Sequence, residues 1–409
     1  MKVTKYLLPL VLLFTVLTLV SCSSAERTEA EDAIKEELDL LKNVDSETTA
    51  RYISELSPEF SNSNEISQKI TDVFTLFFQN FDYKILNTDV DSQKGIATSK
   101  IRIKTLDAQK LAQDFASSHL NDEILAIANQ TPNTNNLDSV EQRYLLLYQL
   151  LTSNEYDSVE IDTIVELKRS EENIWEIQRT YSLENDLVGG LMTYLSDPNI
   201  LTPDATLEVY LKSFKTMDDV QIKNYLGINS LFSSDEITKN TIADALVEQI
   251  LNSFDYEIKK PEISGYNATV PVIITTFDSD SIISEYKKNL DTYISTPQAV
   301  IDGASARYEI AQQYLIEAIR NNDKTIQREV VFHLVNDATA WHLEDNSNEL
   351  GYAILGTMAD SDFSESMQID TETEGDDASD SDDADTSDTA DDSDSSEDSD
   401  EYDYSDDEY

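Results

Sequence analysis

Apolar residues recur along this chain in two distinct periods, and the order of those periods repeats. Leu207, Tyr210, Leu211, Phe214 and Met217 are spaced by threes and fours, which predicts an amphipathic helix with one face in a core. Ile34, Leu38, Leu41 and Val44 carry the same pattern earlier. A second helix is predicted through Ile70, Val73, Phe74 and Phe77, and again through Ile242, Leu246, Val247 and Ile250. The period then changes to two: Phe81, Tyr83 and Ile85 alternate with polar neighbours, as do Ile101 and Ile103 in a strand predicted over 96–105. Asp107 and Asp278 stand where helix N-caps are expected, ahead of helices through Leu111 and Phe115 and through Ile282 and Tyr286. Further helices begin near Arg143 and Arg307. Two closing strands end each series, 158–168 with 173–181 and 325–335 with 339–344.

The repetition extends to individual residues. Phe81-Asp82-Tyr83 returns as Phe254-Asp255-Tyr256 at an offset of 173, and the same offset relates Ile34, Leu38 and Leu41 to Leu207, Leu211 and Phe214. After the shared tripeptide the offset becomes 171, pairing Ile101, Ile103, Thr105 and Asp107 with Val272, Ile274, Thr276 and Asp278. Arg143-Tyr144 matches Arg307-Tyr308, and Trp175 matches Trp341. Agreement in order along the whole unit predicts two tandem homologous domains, 32–195 and 203–358, joined by a linker over 196–202. Each is expected to be α+β, with helices packed on one antiparallel sheet.

The two ends differ from the body. Lys2 and Lys5 precede an apolar run from Tyr6 to Val20, too short for an ordinary spanning helix and suited to the apolar region of a secretory signal. Leu19-Val20-Ser21-Cys22 follows and resembles the lipobox of bacterial lipoproteins. The resemblance implies a signal peptide over 1–21, cleavage between Ser21 and Cys22, and diacylglycerol on the Cys22 thiol, the only thiol in the chain. A plain secretory signal or an uncleaved anchor is the alternative. Residues 22–31 read as a short polar tether. At the other end, 359–409 holds 24 Asp and Glu and no Lys or Arg, so it is expected to be disordered and extended by its own repulsion. Asp370 to Gly375 loosely follows the opening of a calcium loop, but Ser381 stands where a bidentate Glu is required.

Charge narrows the function. The 409 residues carry 81 acids against 29 bases, a net charge of −52. Without the signal and the tail the body still has 57 acids and 27 bases. Such a surface argues against nucleic acid as a partner. One cysteine excludes a disulfide framework and a cysteine-rich zinc site.

Within the body no shared catalytic constellation stands out, and no metal or cofactor is implied. Asp82 and Asp255 recur but alternate outward from Phe81, Tyr83 and Ile85, so they are expected on the solvent face. Trp175 and Trp341 read as core residues. His119, His333 and His342 have no repeated pattern. One contrast between the units is informative. Lys100, Arg102 and Lys104 make a basic stripe on the outer face of the second strand, where the other unit has Pro271, Ile273 and Thr275. The stripe is a candidate contact face for an anionic partner such as a wall polymer. Pro271 suggests a sheet edge or a bulge.

The helix pair, the strand bearing Phe or Tyr and the late Trp strand, over about 30–358, resemble the cone-shaped fold shared by nuclear transport factor two and ketosteroid isomerase. They are especially similar to domains repeated in Gram-positive surface lipoproteins; a cystatin-like fold is the alternative. The lipobox, the repeat and the lack of a shared catalytic constellation together lead us to expect a membrane-anchored extracytoplasmic lipoprotein whose body binds a protein or envelope component without catalysis. The alternatives are a small-ligand binder or enzyme using a cone-shaped pocket, and an assembly factor for exported proteins.

Overall fold

The alternating segments pair into two antiparallel sheets, each with its inner face covered by helices. A computed structural model describes residues 24–42, 64–131, 139–232, 235–344 and 349–359. The signal segment 1–21, Ser21 and Cys22 themselves, the calcium-loop-like stretch and the acidic tail from residue 360 lie outside the described residues.

The first half runs α1 (24–42), α2 (Asn64–Phe78), β1 (Asp82–Asp91), β2 (Ile96–Leu106), α3 (Ala108–Ala128), α4 (Val140–Ser153), β3 (Ser158–Arg169), β4 (Trp175–Ile177), α5 (Tyr181–Leu187) and α6 (Leu191–Leu195). The second half runs α7 (Pro203–Lys215), α8 (Asp219–Leu226), α9 (Glu236–Ser253), β5 (Asp255–Ile258), β6 (Glu262–Ser264), β7 (Asn267–Phe277), α10 (Ser279–Ile294), α11 (Pro297–Ile301), α12 (Ala304–Arg320), β8 (Thr325–Asn336), β9 (Trp341–Leu343) and α13 (Glu349–Leu355), closing on a 3-10 turn, Gly356–Ala359. The fold is α+β. One sheet has the order β1-β2-β3-β4; the other has β5-β7-β8-β9, with β6 also beside β7. The registers correspond: Asp82 faces Lys104, and Asp255 faces Thr275.

Alternation builds both cores. Every second residue of β2 points inward, so Ile101 and Ile103 are fully buried against Ile34, Leu38, Phe77, Val165 and Leu167. In the second half Val272, Ile274, Phe332 and Leu334 are buried, as are Leu211, Phe214 and Leu246. Each such aliphatic or aromatic side chain contributes about 1.5–3 kcal/mol on burial. The helices after β2 and β7 start where the aspartates stand: Asp107 accepts the Lys110 N–H at 3.1 Å, and Asp278 accepts the Ser281 N–H at 3.2 Å.

Four details differ from the sequence reading. The stretch taken as a polar tether, 22–31, is helical from residue 24: Ala30 is buried, and Glu26 and Glu29 reach Arg169 on β3 at 3.4 and 3.2 Å. The strand expected over 173–181 stops at Ile177, because Thr180 accepts the Leu183 N–H at 3.2 Å and turns the chain into α5. Pro271 lies neither on an edge nor in a bulge of its own strand; β7 is interior. Its carbonyl accepts from the Lys259 N–H, so its missing N–H falls on the same side, in the gap between β5 and β6 where the neighbouring strand is broken. The segment read as a linker, 196–202, is held to the end of the second sheet. Trp341 Nε1 donates to Asn199 Oδ1 at 3.0 Å, and Asn336 Nδ2 donates to the Pro198 carbonyl at 3.0 Å.

The halves meet along α3. Ser213 Oγ and Asn121 Oδ1 lie 2.7 Å apart, Gln221 Nε2 donates to Asn129 Oδ1 at 3.1 Å, and Asn224 Nδ2 donates to the Ala128 carbonyl at 2.9 Å. The last bond satisfies a carbonyl that the end of α3 leaves unpaired. Leu120, Ile124 and Ala128, on the same stripe of α3, are buried yet stand outside the first-half core cluster. The described residues all fall in one compact unit.

Two left-handed glycines pack at corresponding places. Gly189 has φ +66°, and a Cβ there would meet Thr105, Ala108 and the Leu106 carbonyl at 3.0–3.2 Å. Gly356 has φ +56°, and a Cβ would come within 2.5 Å of Arg328 Nη2 and Ser279 Oγ. Arg328 cannot yield freely: it donates to the Ala353 and Ile354 carbonyls at 3.1 and 3.4 Å and to Ser279 at 2.7 Å. Gly265, at φ +63°, has nothing within 4 Å. Gly265→Ala therefore carries the backbone penalty alone, about 1 kcal/mol, and Gly356→Ala is expected to lose about 3 kcal/mol. Urea unfolding of both variants checks this; equal losses would contradict the packing at Gly356.

Candidate functional site

Alternation along β2 places Lys100, Arg102 and Lys104 together on the outer face of the first sheet, all exposed. The register then determines what they meet. Arg102 stands opposite Asp162 and Lys104 opposite Glu160 on β3, and Lys104 stands opposite Asp82 on β1. Arg102 grips Asp162 with two bonds, Nε to Oδ1 at 2.7 Å and Nη2 to Oδ2 at 3.4 Å. Lys100 Nζ adds a contact to Asp162 at 2.9 Å, and Arg102 reaches Glu160 at 3.8 Å. Much of the stripe's charge is thus answered inside its own sheet, and an anionic partner would have to displace Asp162. The hydrogen bond from Arg102, then that from Lys100, holds the Asp162 carboxyl down at about 2. In the second sheet Pro271, Ile273 and Thr275 are half-buried opposite Val331, Glu329 and Gln327, with no ladder of charge.

The aspartates of the repeated tripeptides do face outward, and each binds a lysine from the first helix of its half. Lys42 Nζ lies 2.6 Å from Asp82 and 4.6 Å from the centroid of the Tyr83 ring. Lys215 Nζ lies 2.8 Å from Asp255 and 5.8 Å from the Tyr256 ring. Tyr83 donates to Asp39 at 2.9 Å, and Tyr256 donates to Glu208 at 3.0 Å. Burial, then the bond to the carboxylate, pushes both phenols above their usual value. The lysine bond and a backbone bond pull both aspartates below theirs. Tyrosine stays protonated and aspartate ionised through the neutral range, so neither is poised for proton transfer there. The cluster ties helix to sheet. Sequence reasoning missed its lysines, although Lys42 and Lys215 are separated by the same 173 residues as the tripeptides.

Hollows lie between elements. One of about 580 Å³ opens between α3 and α7, with Asp114, Ser117, Asn121, Glu208, Lys212 and Ser213 in its wall. The inner face of each sheet, where a cone-shaped pocket would lie, is occupied by the packed side chains of the two cores. The histidines are scattered, each beside one carboxylate: His119 with Glu123, His333 with Glu349 and His342 with Asp337. Among the described residues no group of three or more His, Cys, Asp or Glu could hold a metal ion. No described helix is long and apolar enough to cross a membrane.

Comparison with known proteins adds little. No protein-family model matches the chain, and no curated protein matches it. Among solved structures, a candidate lipoprotein (ycdA) from Bacillus subtilis is similar over 67% of this chain and 96% of its own, at 12% identity and a TM-score of 0.24. A TM-score that low carries no argument about fold or function.

The Asp162 ladder has a pH signature. Its pKa near 2 lies below an unfolded value of about 3.9, so its contribution is complete above about pH 4 and is lost as the pH falls toward 2. Carboxylate chemical shifts followed by NMR should show Asp162 titrating among the last of the side-chain carboxylates as acid is added. Arg102→Ala should move it up toward the ordinary range; an unchanged midpoint would contradict the pairing.

Proposed function

We propose that this protein is an extracytoplasmic lipoprotein, anchored through diacylglycerol on Cys22, whose body binds a protein or envelope component without catalysing a reaction. One observation carries the reading. The single thiol of a 409-residue chain stands directly after a signal-like apolar run, where a lipoprotein needs its nucleophile. Two acyl chains are enough for a stable anchor. Residues 24–42 are helical, so an anchor at Cys22 would hold the folded body close to the membrane surface. We further propose that the two halves are copies of one cone-like unit. The shared element order, the matching registers of Asp82 and Asp255 and the paired glycines 189 and 356 support this. A second reading, a small-ligand binder, is favoured by the hollow between α3 and α7 rather than by either sheet.

The anchor is tested by expressing the full chain in a Gram-positive host and following detergent-phase partitioning and the mass of the N-terminal peptide. The expected product begins at Cys22 and carries diacylglycerol, and Cys22→Ala should lose both the lipid mass and the cleavage before residue 22. An unmodified Cys22, or an N-terminal peptide that begins elsewhere, would contradict the reading.

A further inference from the structure

The edge of the first sheet differs from the edge of the second in a way that bears on binding. Among the described residues β1 is the outermost strand of its sheet; it runs ten residues and pairs on one side with β2. Alternate residues of such a strand turn N–H and C=O away from the sheet, a ready template for another extended chain. In the second half the corresponding edge is short and broken. β5 has four residues and β6 three, and Lys259, Lys260 and Pro261 stand between them. Lysine and proline on an edge are devices that block strand addition. β1 has no proline and no break; it carries Lys84 and a bulge at Leu86, with continuous pairing edges at 82–85 and 87–91 on either side.

A groove runs beside this open edge. A hollow of about 400 Å³ lies between α1 and β1, with Ile85 and Leu86 as its apolar contacts and Arg27, Lys35 and Lys42 among its lining residues. The bulge leaves Leu86 facing this space, 37% exposed. The three cations hold Glu31, Asp32 and Asp82 at 2.6–3.0 Å, and Asp32 and Asp82 are each 62% exposed. Ion pairs this open to water are weak, so an incoming carboxylate can take over a cation at little cost. In a body this acidic, three cations beside one open edge select the charge of what binds there.

We propose that β1 and the α1 groove bind an extended acidic peptide segment of another protein by strand addition. The peptide's backbone pairs with the outer edge of β1, its apolar side chains meet Ile85 and Leu86, and its carboxylates face Arg27, Lys35 and Lys42. This deepens the binding-module reading. Its test does not involve Cys22, so failure of the anchor and failure of this site are distinguishable.

The probe is a fluorescent peptide of alternating Thr and Glu, as long as β1, added to the full-length protein. Anisotropy measures binding, and amide hydrogen exchange locates it. The site predicts slowed exchange confined to 82–91 and the facing side of α1. It predicts little binding of a Thr/Lys peptide of equal length, and loss of binding when alternate peptide nitrogens are methylated in the pairing register. Arg27→Glu with Lys35→Glu should weaken binding about fivefold or more, with the circular dichroism unchanged. Absence of binding, protection elsewhere, or indifference to N-methylation in both registers would overturn the proposal. If the charge-reversed pair misfolds, the methylated peptides decide the matter on the unaltered protein.

Discussion

The rest of the structure depends on how α3 is used twice. One side of this helix closes the first sheet through Ala108 and Leu111; another stripe, Leu120, Ile124 and Ala128, is buried outside that core. The second half supplies the polar partners along it, through Ser213, Gln221 and Asn224. Polar bonds give such a seam its register, because each donor must find its acceptor, while the buried aliphatic stripe supplies most of the free energy. The bonds from Trp341 and Asn336 to residues 198 and 199 remove the slack that a free linker would leave. The halves therefore present their outer faces in a fixed relation.

The same economy governs charge. In a body with 57 acids and 27 bases, the bases act mainly as staples. Lys42 and Lys215 tie first helices to first strands, Arg102 zips β2 to β3, and Arg169 and Arg179 reach Glu26, Glu29 and Glu37 on α1. Arg328, the last basic residue in the chain, holds the carbonyls at the end of α13. A cluster of bases read from spacing alone is thus a poor guide to a binding face. The Lys100–Arg102–Lys104 stripe illustrates this, because its partners come from strands about 20 and 60 residues away.

Much of the fold was legible in the chain for the same reason that its site was not. Periods of two and of three to four report which side of an element is buried, and they placed α7, α9, β2 and β7 and the caps at Asp107 and Asp278. They are silent about polar segments whose burial comes from elsewhere. Residues 24–31 read as a tether because the apolar stripe starts only at Ala30, while Glu26 and Glu29 are held by Arg169 from β3. Pro271 read as an edge marker because its missing donor needs an empty neighbour; the gap between β5 and β6 supplies one inside the sheet. The hollow between α3 and α7 arises where two distant segments meet, and no local spacing announces it.

Both halves form one body through the α3 seam. Differential scanning calorimetry of the full-length protein tests it most directly. A seam of this kind gives a single transition whose calorimetric and van't Hoff enthalpies agree, splitting or broadening when Asn121, Gln221 and Asn224 are replaced together by Ala. Two independent transitions in the unaltered protein would contradict it.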